Sequence, residues 1–263
     1  MVGTPFGEQS MTTFRPKLWT GVSAAILLAA TAGCSGEAGE KGAHNGAANT
    51  LTPAVGEGGE GGPERAASAA GEKGAQEAYL AAPAESRVAL RLAHLKGFLL
   101  IAQKQPEGKD AAAALVGQGM TEVYDAQPGA FKSAGVDEAL LRKAAQTGDA
   151  GDIKAALAAI TAAQAKAGGD DAAVLKGMVD IATGIYQGVV QGGTVDPLEY
   201  QHSYGAILSA QDFANRSSAA GVKAAKADLD KLVGLWPAPT APQTPTPAGQ
   251  VAAQASRVEL ALS

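Results

Sequence analysis

The sequence predicts an all-α protein: an antiparallel bundle of about six helices, with a disordered N-terminal tether and a proline-rich segment before a C-terminal helix. Apolar residues recur every three or four positions from about residue 76 to residue 236, a spacing typical of amphipathic helices. No segment alternates apolar and polar residues as a half-buried strand would. Gly, Pro and Asp residues divide this region into segments of helical length.

The N-terminal region has the pattern of a lipoprotein signal peptide. Arg15 and Lys17 precede an uncharged apolar run, Leu18–Ala30. This run of about 13 residues is too short for a bilayer core, which needs about 20, and it is typical of an export signal. Small residues follow, and then comes Cys34, the only cysteine in the chain. The arrangement resembles the lipobox of bacterial lipoproteins, so we expect residues 1–33 to be removed and Cys34 to carry lipid.

Lipid on Cys34, with acyl chains such as palmitate, would anchor the mature protein stably, because several buried chains exceed the two-signal threshold for membrane binding. Ser35 after the cysteine resembles lipoproteins sorted to the outer membrane, so we expect a cell-envelope protein that faces the periplasm. Residues 34–75 are rich in Gly, Ala and Glu and are predicted to form a disordered tether. The net charge of −5, without a basic stripe, argues against a nucleic-acid partner.

The helical domain is predicted to span residues 76–236. Its first helix shows the pattern clearly, because Val88, Leu92 and Leu95 fall on one face and Pro106 ends it. The second predicted helix follows an Asp110 cap and includes Leu115 and Val123. The other predicted helices span residues 83–105, 137–146, Asp149 or Asp152 to 167, 171–191, 196–216 and 222–235.

Five prolines make residues 237–249 a predicted extended linker. Residues 250–263 regain an amphipathic pattern, and we expect this C-terminal helix to dock back on the bundle. Aromatic residues form only 5% of the chain, so a few large rings should carry much of the core. The rings expected there are Phe98, Phe131, Phe213 and Trp236.

Few side chains in the bundle could carry chemistry, since it holds only two histidines, His94 and His202. Glu199 lies three residues before His202, and residues at this spacing project to the same side of a helix. Carboxylate metal sites in helical bundles use this Glu-x-x-His geometry. A single-ion site could draw on His94, Glu122, Glu199 and His202, which are residue types suited to a transition metal. A phenolate from Tyr124, Tyr200 or Tyr204 could join them for a ferric ion.

A purely structural interpretation of the same residues is also open. His94 would then pack on the apolar face of its helix beside Phe98. Glu199 would lie in the first turn of its helix, where a negative charge is favourable. The two interpretations differ in one geometric respect, which is whether His94 and His202 converge with a carboxylate between them.

Several segments resemble landmarks of a set of uncharacterised exported helical proteins from alphaproteobacteria. These segments are His94–Gly97, Thr121–Tyr124, Glu199–Gln201 with Gly205, Leu235–Pro237 and Arg257–Leu260. In those relatives, histidines and a proline precede the segment matching Thr121–Tyr124, which implies a metal site of histidines and carboxylates. Residues 115–120 of this chain contain no histidine. The resemblance therefore carries over only His94 and Glu122.

A looser similarity, to imelysin-like iron-uptake proteins, is limited to helical composition and export, because their Gly-x-His-x-x-Glu motif is absent from the sequence. Two functions follow from the sequence. The first is a non-catalytic module of the envelope that binds a protein or a small ligand between its helices. The alternative is the handling of iron, copper or haem through a site of histidines and carboxylates. No nucleophile paired with a base is recognisable, so an enzyme is not predicted.

Overall fold

The structure, a computed structural model, describes residues 73–190 and 195–263, and all of them lie in one compact unit, Glu57–Ser263. This part of the chain is all-α and contains no strand, which confirms the predicted fold class. Cys34, the predicted signal peptide and the tether up to residue 72 lie outside the described residues. None of the helices within the described residues is both long and apolar enough to cross a membrane.

Ten α-helices lie in the described residues, together with a 3₁₀ turn at Ala84–Ser86 and a π-helical turn at Met120–Tyr124. The helices are α1 (73–81), α2 (Arg87–Ala102), α3 (Lys109–Gly119), α4 (Pro128–Ser133), α5 (Glu138–Thr147), α6 (Ala150–Gln164), α7 (Asp171–Val190), α8 (Pro197–Arg216), α9 (Ala220–Val233) and α10 (Ala248–Leu262).

Aspartate caps fix the starts of three predicted helices. The side chains of Asp137, Asp149 and Asp196 each accept a backbone N–H of the first turn that follows. Asp149, and not Asp152, therefore caps α6. The expected Asp110 cap is wrong, because α3 begins one residue earlier, after Gly108 at φ +95°.

Several other boundaries differ from the prediction. The first predicted helix, 83–105, is shorter, because residues 84–86 form a 3₁₀ turn and α2 spans Arg87–Ala102. Helix α1 includes residues 73–75, which the sequence assigned to the tether, because Ala75 is already buried in the core. Helix α10 begins two residues before the predicted start at residue 250. Helix α4 was not predicted, since its six residues are too few to show a periodic pattern.

Helix α2 lies between two apolar cores and is buried along most of its length. One core joins it to residues of α1, α7, α8, α9 and α10, and the other joins it to residues of α3 to α6. All four aromatic rings expected in the core are buried, with Phe98, Phe131 and Trp236 at 2% exposure or less. Hydrogen bonds from the hydroxyls of Tyr186 and Tyr200 to backbone carbonyls hold the proline-rich segment, and α10 docks on α9 and α7 through Val251 and Val258.

The backbones of α2 and α8 touch at two glycines, Gly97 and Gly205. A Cβ added to Gly97 would lie 2.7 Å from the carbonyl oxygen of Gly205, and one added to Gly205 would lie 2.5 Å from that of Gly97. Only glycine fits such a crossing. Because His94 and His202 each lie three residues before one of these glycines, the close crossing brings their side chains within reach of each other.

Candidate metal centre

Four side chains that the sequence singled out meet where α2, α8 and the turn after α3 come together. His94 lies on α2, Glu199 and His202 lie on α8, and Glu122 lies in the π-helical turn. The structure brings Glu122, Glu199 and His202 into one cluster in which one potential ligand atom from each lies within 4.8 Å of the others. We call this group the Glu/Glu/His cluster. His94 lies beside it, in contact with His202.

The His202 ring points Nδ1 at both carboxylates. This nitrogen lies 3.5 Å from Oε2 of Glu122 and 3.5 Å from Oε2 of Glu199. It is buried and makes no hydrogen bond with any described residue. The side chain of His202 is 2% exposed and that of Glu199 is 5% exposed, whereas that of Glu122 is 14% exposed. A cation bound between this nitrogen and the two carboxylate oxygens would give all three atoms a partner.

Gln118 holds the two carboxylates together from the other side. Its Nε2 donates to Oε1 of Glu122 at 2.8 Å and to Oε1 of Glu199 at 3.0 Å. Each carboxylate therefore uses one oxygen for Gln118 and presents the other to His202. Gln118 was not among the predicted site residues, because residues 115–120 were considered only for the histidine that they lack. Its position four residues before Glu122 on the same helical path is the signal that could have indicated it.

The π-helical turn sets the direction of Glu122. A backbone hydrogen bond from the N–H of Asp125 to the carbonyl of Met120 defines the wider turn, a feature often found at functional sites. Gly119, just before it, lies against Phe98, because a Cβ there would come within 2.7 Å of the Phe98 ring. Phe98 in turn packs on His202 with 4.2 Å between ring centroids. The His202 side of the cluster therefore packs against the apolar ring of Phe98.

A hydrogen-bonded chain runs from the cluster to Tyr79. Nε2 of His202 lies 2.7 Å from Nε2 of His94, and Nδ1 of His94 lies 2.5 Å from the Tyr79 hydroxyl. Burial, with the neighbouring His202 and Arg91, lowers the pKa of His94 well below its usual value, so this ring is neutral. Burial raises the pKa of Tyr79, which stays a phenol.

The hydrogen bonds from Tyr79 through His94 to His202 are compatible with a tautomer in which Nδ1 of His202 can bind an ion. When Nε2 of His202 carries the proton and donates to Nε2 of His94, the Nδ1–H of His94 donates to the Tyr79 oxygen. Nδ1 of His202 is then a free lone pair facing the carboxylates. Metal-binding histidines generally donate their other ring N–H in this way, which fixes the tautomer and the ring orientation.

His94 itself is hydrogen-bonded at both ring nitrogens and takes the role of an orienting group. Because the two Nε2 atoms face each other at hydrogen-bonding distance, no porphyrin plane fits between the two histidines. His94 also packs beside Phe98, with 5.6 Å between ring centroids, as the structural interpretation expected. His94 thus packs on Phe98, as the structural interpretation expected, and also contacts the metal-site candidate His202, as the metal interpretation expected.

The three tyrosines considered as extra ligands lie elsewhere. Tyr124 donates to Glu138 at 2.9 Å, and Tyr200 donates to the carbonyl of Ala238 at 3.3 Å. Tyr204 packs against both apolar cores. The hydroxyls of Tyr124 and Tyr200 are therefore directed at partners outside the Glu/Glu/His cluster.

A cavity of about 710 Å³ opens beside the cluster. Glu122 and His94 form part of its wall, and Tyr79 and Arg91 lie on the same wall. Glu199 and His202 do not line it. Glu122 therefore separates the buried part of the cluster from the open space, and the cavity is the route by which an ion could reach the cluster.

Two of the three separations between the ligand atoms of the cluster fit a transition-metal ion, and the third is within 4.8 Å. Ligand atoms about 2.1 Å from a tetrahedral ion lie about 3.4 Å apart. The two nitrogen-to-oxygen distances of 3.5 Å in the cluster match this separation. One imidazole nitrogen with two carboxylate oxygens is a donor set suited to zinc, iron or manganese.

Removing the Gln118 side-chain amide tests its part in the cluster. Gln118→Met keeps the length of the side chain and removes both hydrogen bonds to the carboxylates. We expect the affinity for Zn²⁺ to fall about 10- to 100-fold, the usual cost of losing a group that orients a ligand. Isothermal titration with Zn²⁺ measures this, with Gln103→Met, an exposed position after α2, as the control. Equal affinity in the Gln118→Met variant and the wild type would contradict the assignment.

Fold and site together define an all-α helical protein with a buried Glu/Glu/His cluster at the wall of an open cavity. Comparison of the chain with protein-family models, with curated proteins and with solved structures finds no match. The resemblance to exported alphaproteobacterial proteins therefore stays a prediction from the sequence segments of this chain. A function for the protein has to be inferred from the geometry of the Glu/Glu/His cluster.

Proposed function

We propose that this protein is a lipid-anchored, non-catalytic metal-binding protein of the cell envelope. It binds one divalent transition-metal ion through Nδ1 of His202 and an oxygen each of Glu122 and Glu199. The observation that carries the proposal is the buried Nδ1 of His202, which makes no hydrogen bond within the described part of the chain and lies 3.5 Å from two carboxylate oxygens. The protein belongs to the broader class of binding modules expected from the sequence, with a metal ion as its ligand.

Charge balance supports the same proposal. Burying carboxylates is costly unless a cation or several hydrogen bonds compensate them. Within the described part of the chain, the only basic side chain within ion-pair distance of Glu199 is His202. A divalent ion between the carboxylates and Nδ1 would offset the two negative charges at the place where they converge.

The chemical types of the three ligand atoms limit which metal ions the cluster can bind. Two carboxylates and one imidazole lack the sulfur ligands that select Cu(I), and the imidazole favours transition metals over Ca²⁺ and Mg²⁺. Among the metals expected from the sequence, iron fits this set and copper fits it only as Cu(II), and zinc and manganese fit it as well. Haem does not fit the facing histidines.

Metal binding by the purified wild-type protein tests the proposal. Protein prepared without a histidine tag and stripped by a chelator should bind one Zn²⁺ per chain in isothermal titration. A ligand present at 100 times its Kd stabilises a protein by about 2.7 kcal/mol. For a domain of this size we therefore expect the Tm to rise by about 5 to 10 °C. Protein that binds no Zn²⁺, Fe²⁺ or Mn²⁺ in a saturable way would contradict the proposal.

The lipid anchor has its own test. Full-length protein expressed in a bacterium that processes lipoproteins should partition with the membranes and incorporate labelled palmitate. Cys34→Ala should remain unlabelled and keep its signal peptide, because no other residue can take the thioether-linked lipid. Ser35→Ala, which keeps the cysteine, is the matched control and should be labelled like the wild type. A Cys34→Ala protein that still carries the label would contradict the anchor.

A further inference from the structure

We infer that the cavity beside the Glu/Glu/His cluster binds a small polycarboxylate, which coordinates the bound metal ion and pairs with Arg91. The inference rests on the proposed metal site and adds the chemical class of a second ligand. It makes the protein a receptor for a metal chelate rather than for a bare ion.

The first step is the number of ligands that the protein supplies. The cluster offers three, and a zinc ion with three protein ligands keeps a fourth position for water or another ligand. Of the three ligands only Glu122 lines the cavity, while Glu199 and His202 lie behind it. A ligand in the cavity would therefore approach the fourth position of a bound ion from the Glu122 side.

The second step is the charge of the cavity wall. Arg91 and Lys73 line it, and Glu122 is the only carboxylate among the described residues that do. Lys73 lies 3.8 Å from Oε1 of Glu77, so once a divalent ion offsets the cluster, Arg91 is the cationic side chain of this wall without an anionic partner among the described residues. The other polar groups on the wall include the amides of Gln76 and Gln127, which can donate hydrogen bonds. Such a wall complements an anion with several oxygen atoms.

The third step is the geometry of Arg91. Its guanidinium carbon lies 4.0 Å from the centre of the Tyr79 ring, so the side chain is stacked on the ring. Across residues 73–190 and 195–263, Arg91 makes no hydrogen bond or ion pair that would occupy its N–H groups. A guanidinium held in this way can bind a carboxylate through two parallel hydrogen bonds, which a lysine cannot do.

The size of the space agrees with a small chelator. A cavity of about 710 Å³ is in the range of pockets that hold small molecules, and it is larger than a single ion or water needs. A polycarboxylate such as citrate can place one carboxylate on the metal and another on Arg91. A monocarboxylate can satisfy only one of the two.

Equilibrium dialysis with radiolabelled citrate tests the inference. We expect one citrate per chain to be retained by protein loaded with one equivalent of Zn²⁺, and none by metal-free protein. Arg91→Gln should weaken the retention of citrate at least about tenfold, the effect of losing a charge-assisted hydrogen bond. Its affinity for Zn²⁺ without citrate should change far less than its retention of citrate, because Arg91 contacts Tyr79 and is not a ligand of the ion. Arg257→Gln, on α10 and away from the cavity lining, is the matched control and should retain citrate normally.

The outcomes separate this inference from the metal site itself. Zn²⁺ binding without any retained citrate, or removal of Zn²⁺ from the protein by citrate, would overturn the inference and leave the metal site standing. Citrate retained equally by metal-free protein or by Arg91→Gln would overturn the assigned contacts. Failure of the wild-type protein to bind Zn²⁺ at all would overturn the metal site and the inference together.

Discussion

Glu199→Gln is expected to lower the affinity for Zn²⁺ by about 100-fold or more, beyond the 10- to 100-fold cost of losing an orienting group. The amide keeps the shape of the side chain and an oxygen that can still accept from Gln118. It loses the charge that makes Oε2 a metal ligand. The metal-free variant should melt at the same temperature as the wild type or higher, because one buried negative charge is gone. Zinc titration and thermal melting measure the two effects.

Glu107→Gln is the matched control for this substitution, since Glu107 is exposed and lies outside the cluster. It should leave both the affinity and the Tm unchanged. Glu122→Gln should reproduce the loss of affinity seen with Glu199→Gln, because both carboxylates present Oε2 to the same nitrogen. Full zinc affinity in either cluster variant would show that the ion binds elsewhere.

Gly97→Ala is expected to destabilise the fold by about 3 kcal/mol, at the upper end of the usual cost of overpacking a core. The new methyl group would meet backbone atoms of Gly205 and Ala206, which cannot move aside as a side chain could. Forcing α2 and α8 apart should also lengthen the hydrogen bond between His94 and His202. We therefore expect a Tm about 6 to 12 °C lower and weaker zinc binding. Gly205→Ala should behave in the same way.

Gly117→Ala is the control for the glycine effect. Gly117 lies within α3, and a Cβ there would meet nothing within 4 Å. Alanine should stabilise this helix by about 0.5 to 1 kcal/mol, because glycine is a poor helix former. Thermal melting of the three variants separates crowding from helix propensity. A Gly97→Ala protein as stable as the wild type would contradict the close crossing of α2 and α8.

The helical fold was predictable because apolar spacing and capping residues act locally. Asp137 and Asp196 cap α5 and α8 through hydrogen bonds to the first turns of these helices. Capping residues of this kind can be recognised from the sequence alone. The six-residue helix α4 left too short a pattern to detect. The arrangement of the helices around α2 depends on close contacts such as the one at Gly97 and Gly205, which spacing alone does not reveal.

The candidate site was predictable to the extent that it is local. Glu199 and His202 share a helical face, so their proximity follows from their spacing. Glu122 and His94 were singled out by residue type, and only the tertiary structure shows that one joins the cluster and the other orients it. Tyr79 was missed because its role depends on a contact with His94, fifteen residues further along the chain.

The central claim is that one metal ion lies between His202, Glu122 and Glu199. Anomalous diffraction from crystals of the wild-type protein grown with Zn²⁺, recorded on both sides of the zinc edge, tests it most directly. We expect one strong peak about 2.0 to 2.2 Å from Nδ1 of His202 and from an oxygen of each carboxylate. An empty cluster in crystals that hold zinc elsewhere, or a peak bound to Nε2 of His94, would contradict it.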